Sequence, residues 1–176
     1  MRKRLGVMCS GNGTNFENIV KSCWDHEVVL MIYNNKDCGA VQRATKYGIP
    51  SAYFTHKEEA KIINEFKWQK VDYIILAGWM RILSEGFIEA FPNRIINVHP
   101  SLLPKYKGLH AVEQAINSKD KVTGCTVHYV NNELDGGEII EQAKVPIFDT
   151  DNTEILTKRI QREEYRILPE VIKKLP

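Results

Sequence analysis

The stretch Leu5-Gly6-Val7-Met8-Cys9-Ser10-Gly11-Asn12-Gly13-Thr14-Asn15 joins an apolar run to a glycine-rich segment. The apolar run over 5–9 predicts a buried strand. Apolar residues then recur at helical spacing, which predicts a helix over 15–23. A strand, a glycine-rich loop and a helix in this order indicate a β–α unit.

The alternation of apolar runs and amphipathic segments continues along the chain. We predict strands over 27–33, 51–54, 71–77 and 94–98, and helices over 38–47, 57–70, 84–90 and 109–117. In the helix over 57–70, Ala60, Ile63 and Phe66 are expected to face the core. Two longer strands over 122–130 and 138–148 follow, and a helix over 153–174, kinked at Pro169, comes last.

This order of elements predicts the fold class. Repeated β–α units give a parallel sheet with right-handed crossovers, and the late β–β pair adds an antiparallel edge. We therefore expect an α/β, Rossmann-like three-layer fold, with a mostly parallel twisted sheet, a late antiparallel strand and helices on both faces. No internal repeat, linker or low-complexity segment divides the sequence, so we expect a single domain over 1–176.

The composition is that of a globular protein, with 43% hydrophobic and 26% charged residues and a net charge of +2. The positive residues form no long run, so we expect neither nucleic acid nor a membrane as partner. The four cysteines form no CxxC pair, and we predict no metal site. No apolar run suits a signal peptide or a transmembrane span, so we expect a cytoplasmic location.

The glycine-rich loop, residues 10–15, lies where the first predicted strand passes into the first helix. Glycines allow positive φ angles and let backbone amides approach an anion, and a helix N-terminus favours phosphate. Phe16 occupies the third glycine position of the dinucleotide fingerprint, and no Gly-Lys-Ser/Thr follows. The loop therefore favours a monophosphate, with a tight turn that binds nothing as the alternative.

The segment Asn97-Val98-His99-Pro100-Ser101-Leu102-Leu103-Pro104 places an amide and an imidazole where a predicted strand ends. Two residues apart on an extended chain, Asn97 and His99 point to the same face. Many α/β enzymes begin an active site in this way, although a lone histidine after an apolar strand is more often structural. Asp135 is a candidate third member, because a carboxylate can orient an imidazole or accept a proton; a surface turn is the alternative.

Four motifs in order along the chain resemble those of the phosphoribosylglycinamide formyltransferases, the folate-dependent enzymes of purine synthesis. They are Ser-Gly-Asn-Gly-Thr-Asn at 10–15, Leu-Ala-Gly-Trp-Met-Arg-Ile-Leu at 76–83, Asn-Val-His-Pro-Ser-Leu-Leu-Pro at 97–104 and Glu-Leu-Asp-Gly-Gly at 133–137. The third motif is typical of the wider folate formyltransferase group. The first motif narrows the resemblance to the enzymes that act on glycinamide ribonucleotide. The resemblance covers essentially the whole chain and implies 10-formyltetrahydrofolate as co-substrate.

The resemblance also implies roles for individual residues. It makes Asn97, His99 and Asp135 the catalytic set. The ribose phosphate and ribonucleotide would be held by Gly11, Asn12, Gly13, Thr14, Asn15, Gln161 and Glu164. The folate would be bound by Met80, Arg81, Ile82, Leu83, Val130, Asn131 and Asp135. The N-terminal half would thus bind the ribonucleotide, and the C-terminal half would bind folate and carry out catalysis.

Two features depart from the family pattern. Val112 stands where bacterial relatives often carry a second histidine, outside the catalytic set. The stretch 55–70 is shorter than in longer relatives, so a basic residue that helps to hold the folate tail or the substrate phosphate has no clear equivalent. Lys57 is the candidate for that role.

The chemistry expected of this set is direct formyl transfer to an amine. Asn97 and a protonated His99 would donate hydrogen bonds to the developing oxyanion, and Asp135 would hold His99 and take up the amine proton through water. No covalent intermediate is expected, because Cys125 and Ser101 lack an activating base. We expect small-molecule substrates, no metal, and a monomer or homodimer.

Three alternatives remain open on the sequence. A 10-formyltetrahydrofolate hydrolase and other formyltransferases, of tRNA or of sugar nucleotides, share the chemistry. We expect neither the additional N-terminal domain of the hydrolase nor the C-terminal domain and basic surface of a tRNA enzyme. A flavodoxin-like FMN carrier also suits the glycine-rich loop, but it leaves Asn97, His99 and Asp135 without a role.

Overall fold

The computed structural model describes residues 1–176, which form two compact units, Met1–Asn97 and Val98–Pro176. The first unit contains β1 (Arg4–Cys9), α1 (Thr14–Ser22), β2 (Glu27–Tyr33), α2 (Ala40–Lys46), β3 (Ser51–Tyr53), α3 (Glu59–Trp68), β4 (Tyr73–Leu76) and α4 (Glu85–Ala90). Strand β5 (Ile95–His99) begins in the first unit and ends in the second. The single domain over 1–176 stays a prediction.

The strands of the first unit pair in parallel, in the order β3-β2-β1-β4-β5. Val7 of β1 lies opposite Met31 of β2 and Ile75 of β4, and all three are fully buried. A parallel strand buried on both faces reads as a continuous apolar run, which is the pattern that predicted these strands. The predicted parallel sheet is confirmed.

Helix α3 packs onto this sheet through Phe66, whereas two other residues of the helix lie elsewhere than the sequence pattern predicts. Ile62 and Phe66 are the buried residues of α3, whereas Ala60 is exposed and Ile63 is half-buried. Only the prediction for Phe66 is confirmed. Its ring lies against Gly6 of β1, where a Cβ would come within 2.5 Å of Phe66 Cε1. The missing side chain of Gly6 therefore sets how closely α3 approaches the sheet.

The second unit contains α5 (Ala111–Asn117), β6 (Val122–Tyr129), β7 (Ile139–Pro146) and α6 (Thr153–Lys173). The antiparallel pairing of β6 with β7 confirms the predicted late strand pair. The two strands approach closely at Gly124, where a Cβ would lie 1.9 Å from the Ala143 carbonyl oxygen. Helix α6 packs on both strands and continues through Pro169.

Several element ends differ from their predicted positions. The helix predicted over 109–117 begins at Ala111, because His110 has a φ of 59° and cannot join it. The strand predicted over 94–98 runs from Ile95 to His99, so the histidine is its last residue. The helix predicted over 38–47 and the strands predicted over 122–130 and 138–148 are also shorter in the structure.

No helix is both long and apolar enough to pass through a bilayer. No three side chains of His, Cys, Asp or Glu come together as they would around a metal ion. All four cysteines are buried as free thiols.

Candidate active site

The end of β5 carries the first two candidate catalytic residues. Asn97 is half-buried and lies opposite Leu76 of β4, and His99 is only 6% exposed. The alternation of side chains along a strand places both residues on one face of β5. Both residues lie in one strand, and the juxtaposition of their side chains stays a prediction.

Asp135 lies beside His99, as predicted. Its Oδ2 atom is 3.5 Å from His99 Nδ1 and accepts a hydrogen bond of 2.7 Å from the Gly108 backbone N–H. Asp135 has a φ of 49°, a left-handed conformation that aspartate tolerates better than most residues. The turn thus presents the carboxylate to the imidazole.

The backbone carbonyl of Tyr106 fixes the other side of the imidazole. His99 Nε2 lies 2.8 Å from Tyr106 O. A carbonyl oxygen can only accept, so Nε2 carries a proton and donates it here. Nδ1 is then the ring nitrogen that faces Asp135 and is left to exchange a proton. No sequence pattern indicates this contact, because it depends on the path of the loop after Pro104.

A second histidine, which sequence reasoning missed, lies on the far side of Asp135. His128 in β6 is 2% exposed, and its Nε2 atom is 3.7 Å from Asp135 Oδ1. Its Nδ1 donates to the Tyr129 carbonyl at 2.9 Å. Burial lowers the pKa of His128, against the opposing effect of the Asp135 charge. The position of His128 at the end of a predicted strand, just before the Asp135 turn, was the available signal.

A buried hydrogen-bond network holds the segment after His99 against β6 and β7. Thr126 Oγ1 donates to Ser101 O at 2.7 Å and accepts from Leu103 N at 3.1 Å. Gln142 Nε2 donates to Leu103 O and to Thr126 Oγ1, both at 3.0 Å. These bonds satisfy the backbone of a segment that belongs to no helix or strand, and so fix its path.

The glycine-rich loop has the geometry expected of an anion site. Gly13 has a φ of 75° and precedes α1 without any side-chain cap for the helix. A Cβ on Gly13 would lie 2.5 Å from Ala40 Cβ, so only glycine fits. Thr14 and Asn15 open α1, where the uncapped first turn and the helix dipole favour an anion.

The segment predicted to line the folate pocket is bonded to the same loop. Ser10 N donates to Gly78 O at 3.0 Å, and Ser10 Oγ accepts from Met80 N at 2.9 Å. Met80 and Ile82 are 69% and 77% exposed, which leaves two apolar side chains on the surface, whereas Leu83 is buried. Arg81 is also exposed, as is Lys57, which precedes α3.

The turn that carries Asp135 is held by its own polar groups. Asn131 Oδ1 accepts from Glu133 N at 2.9 Å, and Glu133 pairs with Lys107 at 2.8 Å. A Cβ on Gly137 would lie 1.6 Å from Tyr129 O, so glycine is required there. Val130 is half-buried and Asn131 exposed at the start of this turn.

Helix α6 holds the last two predicted binding residues, on the inner side of the second unit. Glu164 is 7% exposed and Gln161 is half-buried.

Burial, together with the negative charges of Glu164 and Glu163, raises the pKa of Cys125 to about 12. Cys125 is therefore a thiol at neutral pH and no nucleophile.

Comparison with known proteins places the chain among formyl transferases. The family model described as "Formyl transferase" matches residues 3–172. Phosphoribosylglycinamide formyltransferase of Haemophilus influenzae is 41% identical over 97% of this chain and 86% of the relative. The trifunctional purine biosynthetic protein adenosine-3 of Drosophila melanogaster is also 41% identical, and the chain spans 14% of its length.

A crystal structure of glycinamide ribonucleotide transformylase 1 from Symbiobacterium toebii is also similar. It matches with a TM-score of 0.95 and 38% identity, over 98% of this chain and 86% of the other. This similarity confirms the predicted Rossmann-like α/β class. It extends over the motifs at 10–15, 97–104 and 133–137 alike.

Proposed function

The chain belongs to the formyl transferase family, and we propose that it transfers the formyl group of 10-formyltetrahydrofolate to the amine of glycinamide ribonucleotide. The products would be formylglycinamide ribonucleotide and tetrahydrofolate, in de novo purine synthesis. The observation that carries the proposal is the contact between His99 and Asp135. His99 is the last residue of β5, the strand that also contains Asn97. The names of the similar proteins support the choice of acceptor.

In this proposal the glycine-rich loop binds the phosphate of the ribonucleotide. Gly11, Asn12, Gly13, Thr14 and Asn15 supply backbone amides and polar side chains, which suit a phosphate dianion. Gln161 and Glu164 of α6 contact the ribose and the glycinamide. The Glu164 carboxylate can accept a hydrogen bond from a hydroxyl or an amine of the substrate.

The folate co-substrate binds through apolar side chains and backbone groups. The exposed side chains of Met80 and Ile82 offer apolar contact to a flat ring, and Arg81, Leu83, Val130, Asn131 and Asp135 complete the proposed set. Uncovered apolar side chains in adjacent loop positions are typical of a ligand surface. Lys57 stays the candidate for the missing basic contact.

The catalytic set transfers two protons, one to the leaving group and one from the attacking amine, and stabilises one developing charge. Asn97 donates a hydrogen bond to the formyl oxygen as that oxygen gains negative charge, which is worth about 2.7–4 kcal/mol for a well-placed donor. His99 keeps Nε2 on Tyr106 O and uses its Nδ1 proton, which neighbours Asp135, for the second hydrogen bond and for transfer to the leaving folate nitrogen. Asp135 balances the imidazolium charge and takes up the amine proton through water.

The test of the function is formyl release from 10-formyltetrahydrofolate, with and without glycinamide ribonucleotide, followed by folate absorbance. We expect release only when the ribonucleotide is present. Release without it would identify a hydrolase, and no release in either case would contradict formyl transfer to this acceptor. Bound flavin in the purified protein would favour the FMN carrier instead.

The predictions of cellular location, partners and oligomeric state belong to the same proposal. We propose a cytoplasmic enzyme of small-molecule substrates, monomeric or homodimeric, with neither nucleic acid nor a membrane as partner and with no metal. Its single domain over 1–176 would bind the ribonucleotide through the N-terminal half. Cell fractionation and sedimentation of the purified protein test location and assembly.

A further inference from the structure

We infer that Arg43, held by the buried carboxylate of Glu17, is a positioning residue for the glycine-rich loop. It keeps the loop in the conformation that binds an anion. The inference rests on the proposed function only in taking that anion to be the phosphate of the ribonucleotide. Neither residue is among those that the loop motif itself contains.

The carbonyl groups of the loop are turned towards the start of α2. Gly11 O accepts from Ala40 N at 3.3 Å and from Cys38 Sγ at 2.8 Å. Asn12 O accepts from Arg43 Nε at 2.7 Å. The C=O and N–H of a trans peptide point in opposite directions, so the amides of Asn12 and Gly13 point away from α2. Successive amides turned to one side make a concave site for an anion.

Arg43, a residue of α2, donates a side-chain hydrogen bond to a carbonyl of this loop. Its guanidinium bridges two groups at once, with Nε on Asn12 O and Nη1 on Glu17 Oε2. The rigid fork of arginine allows this bridge, whereas the single ammonium of lysine cannot reproduce it. Arg43 therefore links the loop to α1 as well as to α2.

Glu17 fixes the guanidinium and itself needs to be neutralised. It lies in the first turn of α1 and is 9% exposed. Besides Arg43, it accepts from Tyr47 Oη at 2.9 Å and lies 3.2 Å from Lys21 Nζ and 3.7 Å from Lys46 Nζ. An unpaired carboxylate in this turn would repel a phosphate at the helix N-terminus. Loss of Arg43 would release the Asn12 carbonyl and remove one of the three cations that offset the charge of Glu17.

A cavity beside the bridge makes the loop sensitive to the length of this side chain. The cavity measures ≈ 230 Å³ and is lined by Asn12, Glu17, Gly39, Gln42, Arg43 and Lys46. A shorter residue at 43 would enlarge it and let water compete for the Asn12 carbonyl. Packing by neighbouring side chains would therefore not compensate for loss of the hydrogen bonds that Arg43 makes.

The test compares Arg43→Lys and Arg43→Met with Lys21→Met as the matched control. Lys21 pairs with the same carboxylate but lies in the last turn of α1, so its loss removes a charge from Glu17 without touching the loop. Two constants are measured: the KM for glycinamide ribonucleotide and the Ki of ribose 5-phosphate as its competitor. We expect both to rise about tenfold in Arg43→Lys, equivalent to 1.4 kcal/mol, with kcat and the KM for 10-formyltetrahydrofolate almost unchanged.

The outcomes separate a positioning role from a structural one. Wild-type constants in Arg43→Lys, or equal increases in Lys21→Met, would overturn the inference. A parallel loss of kcat and folate binding would show a merely structural role and would also overturn it. If the wild-type enzyme does not use the ribonucleotide, the proposed function fails, but the positioning role is still measurable. Amide hydrogen exchange at Ala40, whose N–H donates to the Gly11 carbonyl of the loop, should then be faster in Arg43→Lys than in Lys21→Met.

Discussion

His99 is held from two sides, by the Tyr106 carbonyl at Nε2 and by Asp135 at Nδ1. A ring fixed in this way is oriented before any substrate arrives, which is what general acid–base catalysis requires. The two contacts also give the two ring nitrogens of His99 different roles. Nε2 orients the ring, and Nδ1 carries the proton that the reaction needs.

Replacement of either member of this pair should abolish catalysis and leave folding intact. We expect His99→Ala and Asp135→Asn each to lower kcat by about 10²–10⁴-fold, the range for loss of a positioned acid or base. The measurement is steady-state turnover, with thermal unfolding of each variant as the control. Near-normal turnover in both variants would contradict the assignment.

Thr14 should act on substrate binding and not on the chemical step. Thr14→Val removes a hydroxyl at the first residue of α1 while it keeps the shape of the side chain. We expect the KM for glycinamide ribonucleotide to rise by a factor of about 10, corresponding to one lost hydrogen bond to a charged group. The KM for 10-formyltetrahydrofolate serves as the control, and an effect confined to it would refute the proposed division of roles.

At the scale of the elements, the junction of β1, α1 and α2 depends on the backbone of the glycine-rich loop. Gly13 has a positive φ and packs against Ala40, the first residue of α2. A side chain here would strain the backbone and push α2 away. The absence of a side chain at Gly13 therefore allows the loop to pack directly against the start of α2.

Gly13→Ala should destabilise the protein by more than the left-handed conformation alone, which costs roughly 1–2 kcal/mol. The excess comes from the contact with Ala40 Cβ, 2.5 Å from the new methyl group before relaxation. Chemical denaturation measures the change in the free energy of unfolding. Gly48→Ala is the matched control for stability, because Gly48 also has a positive φ, 66°, and nothing lies within 4 Å of a Cβ there; equal losses in both variants would argue against this packing.

At the scale of the whole molecule, His128 should make folding sensitive to mild acid. Burial lowers its pKa in the folded protein, so the unfolded chain takes up a proton first as the pH falls. Stability is then fully present above the unfolded pKa of about 6.5 and decreases below it. Asp120, Glu133 and Asp151, whose pKa values are lowered by hydrogen bonds, lose their contribution only near pH 4 or below.

We therefore expect the free energy of unfolding to fall between about pH 7 and pH 5, with a smaller fall in His128→Asn. Asparagine can keep the bond to the Tyr129 carbonyl but does not titrate. Urea denaturation at each pH measures the slope, with pH 7 as the reference for each protein. Identical slopes in the two proteins would rule out His128 as the source.

The sequence alone determined the elements and the residue types of the site. Buried parallel strands appear as apolar runs, and a strand followed by glycines and a helix predicts a turn for an anion, because both signals depend on neighbours along the chain. The i, i+2 spacing of Asn97 and His99 set their common face for the same reason. Ala60 and Ile63 were placed wrongly because α3 buries Ile62 together with Phe66, which lies against Gly6.

Only the tertiary structure decided how the side chains of distant segments meet. The pairing of His99 with Asp135 and the anchoring of His99 by Tyr106 join three separate segments of the chain, and His128 reaches Asp135 from β6. The Thr126 and Gln142 network holds the segment at Ser101 and Leu103, whereas the Asp135 turn is held by its own polar groups. The bridge from Arg43 to Asn12 and Glu17 likewise joins residues from α2, the loop and α1. Periodicity reports which face of an element is buried, whereas hydrogen-bond partners between elements depend on how those elements pack, which no local pattern encodes.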